Sequence, residues 1–282
     1  MNNNSLVRRA AAAILVLAAH AAPASAQDFW SAPPALPTDE WFVLKLGGIV
    51  NRFDSKVRVD GEGRRGTEIN LEGNNLDKSL ASFEGAFTWR IAKKHRVDFE
   101  FYSAERSGSR DYSTTVDIGD ESFPLGATVG VTSNSFVTNV NYRYSFIQEP
   151  ELEVAALAGI YYGKIEYDIN ASGTSGGGVQ RTFQKSYSTD IPLPMLGATV
   201  DWYPSRHWRF NARIQGIKAD LDEIDGHAFL VSGSVEYMIS RGFGVGMRYS
   251  YTDVEVDAAG GSFLGNINWT ANSVSAYAKF VF

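Results

Sequence analysis

The sequence predicts an all-β chain closed into an antiparallel, up-and-down transmembrane β-barrel of about ten strands, and three observations predict it. Apolar and polar residues alternate with a period of two over separate stretches, the connections between those stretches are alternately short and long, and the chain stops on an aromatic that completes an alternating face. Outside the first 26 residues, no apolar run approaches the ~20 residues that a bilayer-crossing helix needs. The 282 residues include no cysteine and are 44% hydrophobic, with a mean hydropathy of −0.18. That composition excludes a disulfide scaffold, a cysteine-based metal or redox site and a disordered chain.

The chain opens on a targeting pattern. Arg8 and Arg9 precede an apolar run from Ala10 to Ala19, and Ala24-Ser25-Ala26 offers small residues for cleavage, so residues 1–26 are expected to be a signal peptide. Its removal takes the net charge from −6 to −8, since Arg8 and Arg9 leave with it, and this speaks against a nucleic-acid partner. Residues 27–40 carry Ala32-Pro33-Pro34 and Leu36-Pro37 and are expected to be a periplasmic linker, because proline supports neither a ladder nor a helix interior. Residues 41–282 are then the barrel.

Strands are expected near 41–53, 79–91, 96–106, 135–147, 153–168, 188–203, 208–218, 228–239, 243–254 and 269–282. The clearest are Trp208 to Gly216, where Trp208, Phe210, Ala212 and Ile214 oppose Arg209, Asn211, Arg213 and Gln215, and Phe243 to Thr252, where Val245, Met247, Tyr249 and Tyr251 oppose Gly246, Arg248 and Ser250. A helix would scatter these charges around its circumference. The first and sixth stretches are weakened by Gly47-Gly48 and by Ile191-Pro192-Leu193-Pro194, so eight strands is the alternative.

The connections separate a soluble sandwich from a membrane barrel. Ala92 to His95, Gln148 to Glu151, Pro204 to His207 and Ser240 to Gly242 are tight, whereas Asp60 to Lys78, Ser107 to Asn134, Asn170 to Lys185 and Ala258 to Ile267 are long and polar. Short periplasmic turns and long outer loops are the pattern of outer-membrane barrels, and Trp89, Phe146, Trp202 and Trp208 beside the tight turns suit a membrane interface. At the end, Val274, Ala276, Ala278, Phe280 and Phe282 share one face. Phe280 and Phe282 are expected to act as the insertion signal.

With its Trp89-Arg90-Ile91-Ala92-Lys93-Lys94-His95-Arg96, Ser107-Gly108-Ser109-Arg110 and Asn141-Tyr142-Arg143-Tyr144-Ser145-Phe146 stretches, the mature chain resembles proteobacterial outer-membrane β-barrel proteins, broadly similar to the small OmpA-like and OmpW-like barrels. The resemblance implies an outer-membrane location, with membrane lipid, lipopolysaccharide and the barrel assembly machinery as partners. It implies no activity, cofactor or metal, and it leaves any surface partner open.

Strand alternation places Lys45, Arg90, Arg96, Arg106, Arg143, Lys164, Arg209, Arg213, Arg248 and Lys279 in the lumen, against Glu84, Asp98, Glu100, Glu166, Asp168, Asp201 and Glu236. Charges inside a narrow barrel are costly unless paired, so the mixed signs are expected to neutralise one another and fill the bore, which makes the protein structural or surface-interacting. The alternative is a narrow, anion-preferring solute pore. A third reading takes Asp225-Gly226-His227, which resembles the Asp-His element of omptin proteases, with His227 as base for a water and Asp225 orienting it. Against it, the second long loop lacks that family's Asp-x-Asp and offers only Asp117 and Asp120, and Asp220 and Asp222 beside Asp225 read as solvated.

Overall fold

Side-chain alternation builds long strands, and the computed structural model shows how they close. It describes Trp30, residues 32–34, Pro37 and residues 40–73, 75, 79–123, 126–174, 180–221, 224–258 and 264–282. The expected signal peptide, most of the expected linker and Asp222 lie outside the described residues. In chain order the strands are β1 (Phe42–Val59), β2 (Glu68–Asn70), β3 (Ser79–Ala92), β4 (His95–Asp111), β5 (Val116–Ile118), β6 (Glu121–Phe123), β7 (Thr128–Gln148), β8 (Leu152–Thr174), β9 (Gln180–Trp202), β10 (Trp208–Leu221), β11 (Ile224–Met238), β12 (Phe243–Ala258) and β13 (Gly265–Val281).

The ten long strands pair antiparallel with their neighbours, and β13 returns to β1 from Val43 opposite Val281 to Val59 opposite Gly265. The sheet is therefore a closed ten-stranded barrel. The eight-strand alternative falls, because both doubtful stretches are strands. Gly47 belongs to β1 and Gly246 to β12, and a Cβ on either would sit 2.6 Å from Tyr277 atoms, so the glycines make room for that inward ring. Pro192 and Pro194 lie within β9 opposite Tyr162 and Ile160 of β8, while pairing of β9 with β10 stops at Leu196 opposite Gly216. A proline tolerates a strand edge where no donor is required, and above Leu196 that edge of β9 has no β10 partner.

One feature of the wall escapes a single alternation rule. Along β8 the outward positions run Val154, Ala156, Ala158, Ile160 and Tyr162, then turn to Lys164, Glu166 and Asp168. The inward positions run the other way, with Glu153 low on the strand and Ile165, Tyr167, Ile169 and Ala171 buried above. The same exchange occurs on β1 after Val50, on β4 after Phe101 and on β12 after Tyr251. The barrel thus stands in two solvents: an apolar exterior around a polar bore where lipid surrounds it, and a polar exterior around an apolar core where it projects into water.

Two expectations are corrected by this inversion. Lys164, Glu166 and Asp168 are on the outer wall and not in the lumen; Lys164 pairs with Glu166 at 2.7 Å, and Asp168 accepts from Ser186. Much of the expected loop Ser107 to Asn134 is strand, because Val129 and Val131 turn inward to the upper core.

Candidate functional site: the bore and its two closures

At the inner end, exposed Trp89, Phe146, Trp202, Trp208 and Tyr237 form a girdle. Trp208 meets Tyr237 edge-on at 5.0 Å and Trp202 meets Phe210 at 5.2 Å, as rings do at a lipid–water boundary. The C-terminus sits in this girdle. Phe280 packs on Phe243 at 5.5 Å, and the Phe282 carbonyl accepts the N–H groups of Trp41 and Phe42.

Inside the girdle the strands hold side chains that reach across the bore, because ten strands leave a width that long side chains can span. From β7, Arg143 donates to Asp98 of β4 at 2.5 and 3.0 Å and to Asp201 of β9 at 2.9 Å. From β10, Arg213 donates to Glu100 of β4 at 2.9 Å, and from β12 Arg248 donates to Glu84 of β3 at 2.5 Å. Glu236 of β11 takes Lys45 at 2.5 Å, Lys279 at 2.8 Å and the Tyr277 hydroxyl at 2.9 Å. Every lumen charge singled out by alternation on these strands has a partner, with Arg209 of β10 bound to Glu40 and Arg90 of β3 near Glu153.

Two carboxylates of the charged floor were not legible in the sequence. Glu153 of β8 is buried between Arg90 and Arg96, and it also accepts from Ser145. It follows a tight turn, yet it shares the inward parity of Leu157 and Tyr161, and that signal could have found it. Glu40, at the end of the expected linker, turns into the inner mouth, pairing with Arg209 and lying 3.6 Å from Lys279. The Pro37 and Glu40 carbonyls accept from Arg90 at 3.1 and 3.3 Å, so this segment straps the inner opening. Above the charges, Asn139, Asn141 and Gln215 close a ring of amides: Asn139 donates to Gln215 at 3.1 Å, Gln215 to Asn141 at 2.6 Å, and Asn141 to Asn139 at 3.0 Å. The ring joins β7 to β10 across the bore.

The outer mouth is closed by apolar packing. Ile69 and Leu71 from the first long connection, with Val116, Ile118, Phe123 and Ala127 from the second, are buried in one cluster with Val57, Ile169, Ile191, Leu193 and Val256 of the wall. Phe123 meets Phe183 edge-on at 5.7 Å. Arg106 belongs to this closure and not to the charged floor: it donates to Glu72 at 2.7 Å and lies 4.2 Å above the Phe53 ring, while Glu72 accepts from the Ser55 backbone at 2.7 Å. Between the floor and the outer closure the bore holds cavities of about 70, 80 and 20 Å³.

The Asp-His element is placed differently from a cleft. His227 projects from the outer wall of β11, 45% exposed, with its Nε2 3.7 Å from Asp253 of β12. Asp225 stands opposite Asp220 in the β10–β11 register. Asp117 is held by Arg64 at 2.7 Å, and Asp120 accepts the Glu62 backbone N–H at 2.9 Å, so both are spent in the cap.

No family model and no curated protein matches the chain. Among solved structures it is similar to the outer membrane protease OmpT from Escherichia coli, with a TM-score of 0.58 and 12% identity over 88% of this chain and 98% of that one. It is more distantly similar to the translocator domain of the autotransporter NalP from Neisseria meningitidis, with a TM-score of 0.43 and 9% identity over 88% and 91% of the two chains. The outer membrane protein OprG from Pseudomonas aeruginosa follows, with a TM-score of 0.36 and 10% identity over 90% and 99%. At these identities the likeness is one of fold. A closed barrel with an apolar outer belt has its place in lipid, and the chain is an integral outer-membrane β-barrel.

Proposed function

We propose that this protein is a structural or surface-interacting outer-membrane barrel whose lumen is filled by its own side chains. The observation that supports the reading is the bore-crossing set of ion pairs and amides, with Arg143, Arg213, Gln215 and Arg248 each bonded to a strand that is not a sheet neighbour. A charge pair placed in a low-dielectric interior is stable only when well paired, and paired groups leave no aqueous path. The outer extension, polar outside and apolar within, is in this reading the surface that other molecules meet, with lipopolysaccharide around its base. Residues 1–26 direct export, and Phe280 and Phe282 present the barrel to its assembly machinery.

The test is planar-bilayer conductance of the refolded protein. A filled lumen gives weak conductance that rises when Arg213 and Arg248 are replaced together by serine. A steady anion-selective current from the wild type would make the bore a narrow pore and remove the structural reading.

A further inference from the structure

The lipid-facing wall carries a recess. From β9 to β13, Val200 lies opposite Ala212, Ala212 opposite Gly233, Gly233 opposite Tyr249 and Tyr249 opposite Val274, and all five positions face outward. Ala212 and Gly233 leave a hollow beside Trp202 and Phe210, whose rings meet at 5.2 Å, and beside Met247. The result is a groove of about 530 Å³ with an almost wholly apolar lining. Because the strands tilt, the groove climbs as it crosses them. It starts near the inner end of β9, beside Trp202, and ends on β13 at Val274, next to Asn272, where the outward face of that strand turns polar. The strand spacing makes it about 19 Å long. Half of a bilayer's hydrocarbon core is about 15 Å thick, so the groove has the reach of one lipid tail lying obliquely.

Polar donors stand at the outer end of this track. The Tyr249 hydroxyl donates to Asn272 Oδ1 at 2.8 Å, which leaves the amide N–H groups of Asn272 for another acceptor. Arg52 of β1 is opposite Asn272 in the register and is exposed. It has no ion-pair or hydrogen-bond partner among the described residues, and Asp54, further out on the same face of β1, does not reach it. Other cations of the outer wall are engaged: Lys56 pairs with Glu68 at 3.0 Å and Lys164 with Glu166 at 2.7 Å. Asp253 of β12 is likewise taken, accepting from Thr270 at 3.0 Å. A guanidinium and an amide on directly opposed residues, with Cβ atoms about 5 Å apart, offer converging donors to a phosphate.

We propose that the groove and the Arg52–Asn272 pair form one binding site for a phosphorylated lipid of the outer leaflet, the lipid A part of lipopolysaccharide. One acyl chain lies along Ala212 and Gly233, and one phosphate sits on Arg52 and Asn272. The outer leaflet is the source because the phosphate donors stand at the groove's outer end. Any residue of the belt touches lipid in passing; a recess of tail width that leads to fixed donors retains one molecule. The inference deepens the functional reading above, in which lipopolysaccharide surrounds the base of the extension, and it rests on that part of it and not on the state of the lumen.

The probe is bis-phosphorylated lipid A, titrated against the folded protein in detergent and followed by native mass spectrometry, with dephosphorylated lipid A and phosphatidylglycerol as comparison lipids. The wild type should retain one lipid A saturably and prefer it to both. Arg52→Gln should weaken lipid A about tenfold, as the loss of a charge-assisted hydrogen bond does, and erase the preference over the dephosphorylated form. Gly233→Leu fills the groove, and a Cβ at this position meets only the Asn211 carbonyl at 3.8 Å, so the wall accommodates it. This variant should weaken phosphorylated and dephosphorylated lipid A alike. Ala156→Leu, outward on β8 and away from the groove, should change neither. Heat-shifted gel migration establishes that each variant is folded. Absence of saturable binding, or tighter binding of phosphatidylglycerol, would overturn the site. Saturable lipid A binding of equal affinity in all four proteins removes this site and keeps lipopolysaccharide around the base. A steady bilayer current with lipid A still bound removes the filled-lumen reading and keeps the site.

Discussion

Replacing Glu153 by glutamine tests the floor most directly, because the change keeps volume and removes one charge. Glu153 lies 3.4 Å from Arg90 and closer to Arg96, and all three side chains are at most 9% exposed. At an effective dielectric of about 20, a unit pair at that distance is worth about 5 kcal/mol before desolvation. Breaking a buried pair from one side costs about 3–5 kcal/mol, because the opposite charge stays behind unpaired. Here two guanidinium groups lose the same carboxylate, although Arg90 keeps the Pro37 and Glu40 carbonyls. Glu153→Gln should therefore destabilise the barrel by about 3–5 kcal/mol, and adding Arg96→Met should recover more than half of that loss. The assay is urea unfolding in detergent followed by tryptophan fluorescence, with the temperature at which the folded gel band converts as a second reading. A loss below about 1 kcal/mol for Glu153→Gln, or a double variant no better than the single, would refute a floor held by paired buried charges.

Three further outcomes are expected. Deleting Phe282, or replacing it with aspartate, should lower the amount assembled in the outer membrane and leave periplasmic aggregates, measured by membrane fractionation against wild type at equal expression. Leu71→Ala, at a fully buried cap position, should cost about 2–5 kcal/mol and make the outer connections more sensitive to added protease while the membrane-embedded wall stays intact. His227→Ala should leave folding and surface behaviour unchanged; peptide cleavage by intact cells that disappears in this variant would restore the protease reading.

The number of strands was legible because lipid imposes one strict demand, an apolar residue at every second position, and Trp208 to Ile214 and Phe243 to Tyr251 meet it without exception. The upper third of the strands was not legible, since the demand reverses where lipid ends. Ile165, Tyr167 and Ile169 then point inward, and Lys164, Glu166 and Asp168, assigned to the lumen on sequence alone, point out. The inward charges of the lower half could be read as a set but not as pairs. Arg143 finds Asp98 and Asp201, not Glu84 or Glu236, because partners across a bore are set by tilt and register rather than by local spacing. Glu40 was hidden for a different reason: a proline-rich segment shows no periodicity, so nothing local marks the point where it turns inward.

The interrupted ladder between β9 and β10 gives the wall an uneven mechanical character. Only Phe210 to Gly216 joins β10 to β9, whereas β9 stays joined to β8 from Trp202 up to Gln180. Below Leu196 the barrel is a closed section and above it a slit one, and a slit tube yields to torsion far more readily than an intact one. Twist applied at the outer rim is therefore absorbed as shear between the tall β7–β9 panel and the shorter β10–β11 hairpin, with buried Ile191, Leu193 and Met195 as the compliant filler along the slit. The floor, hooped by continuous pairing and tied across its diameter, keeps its shape while the rim turns.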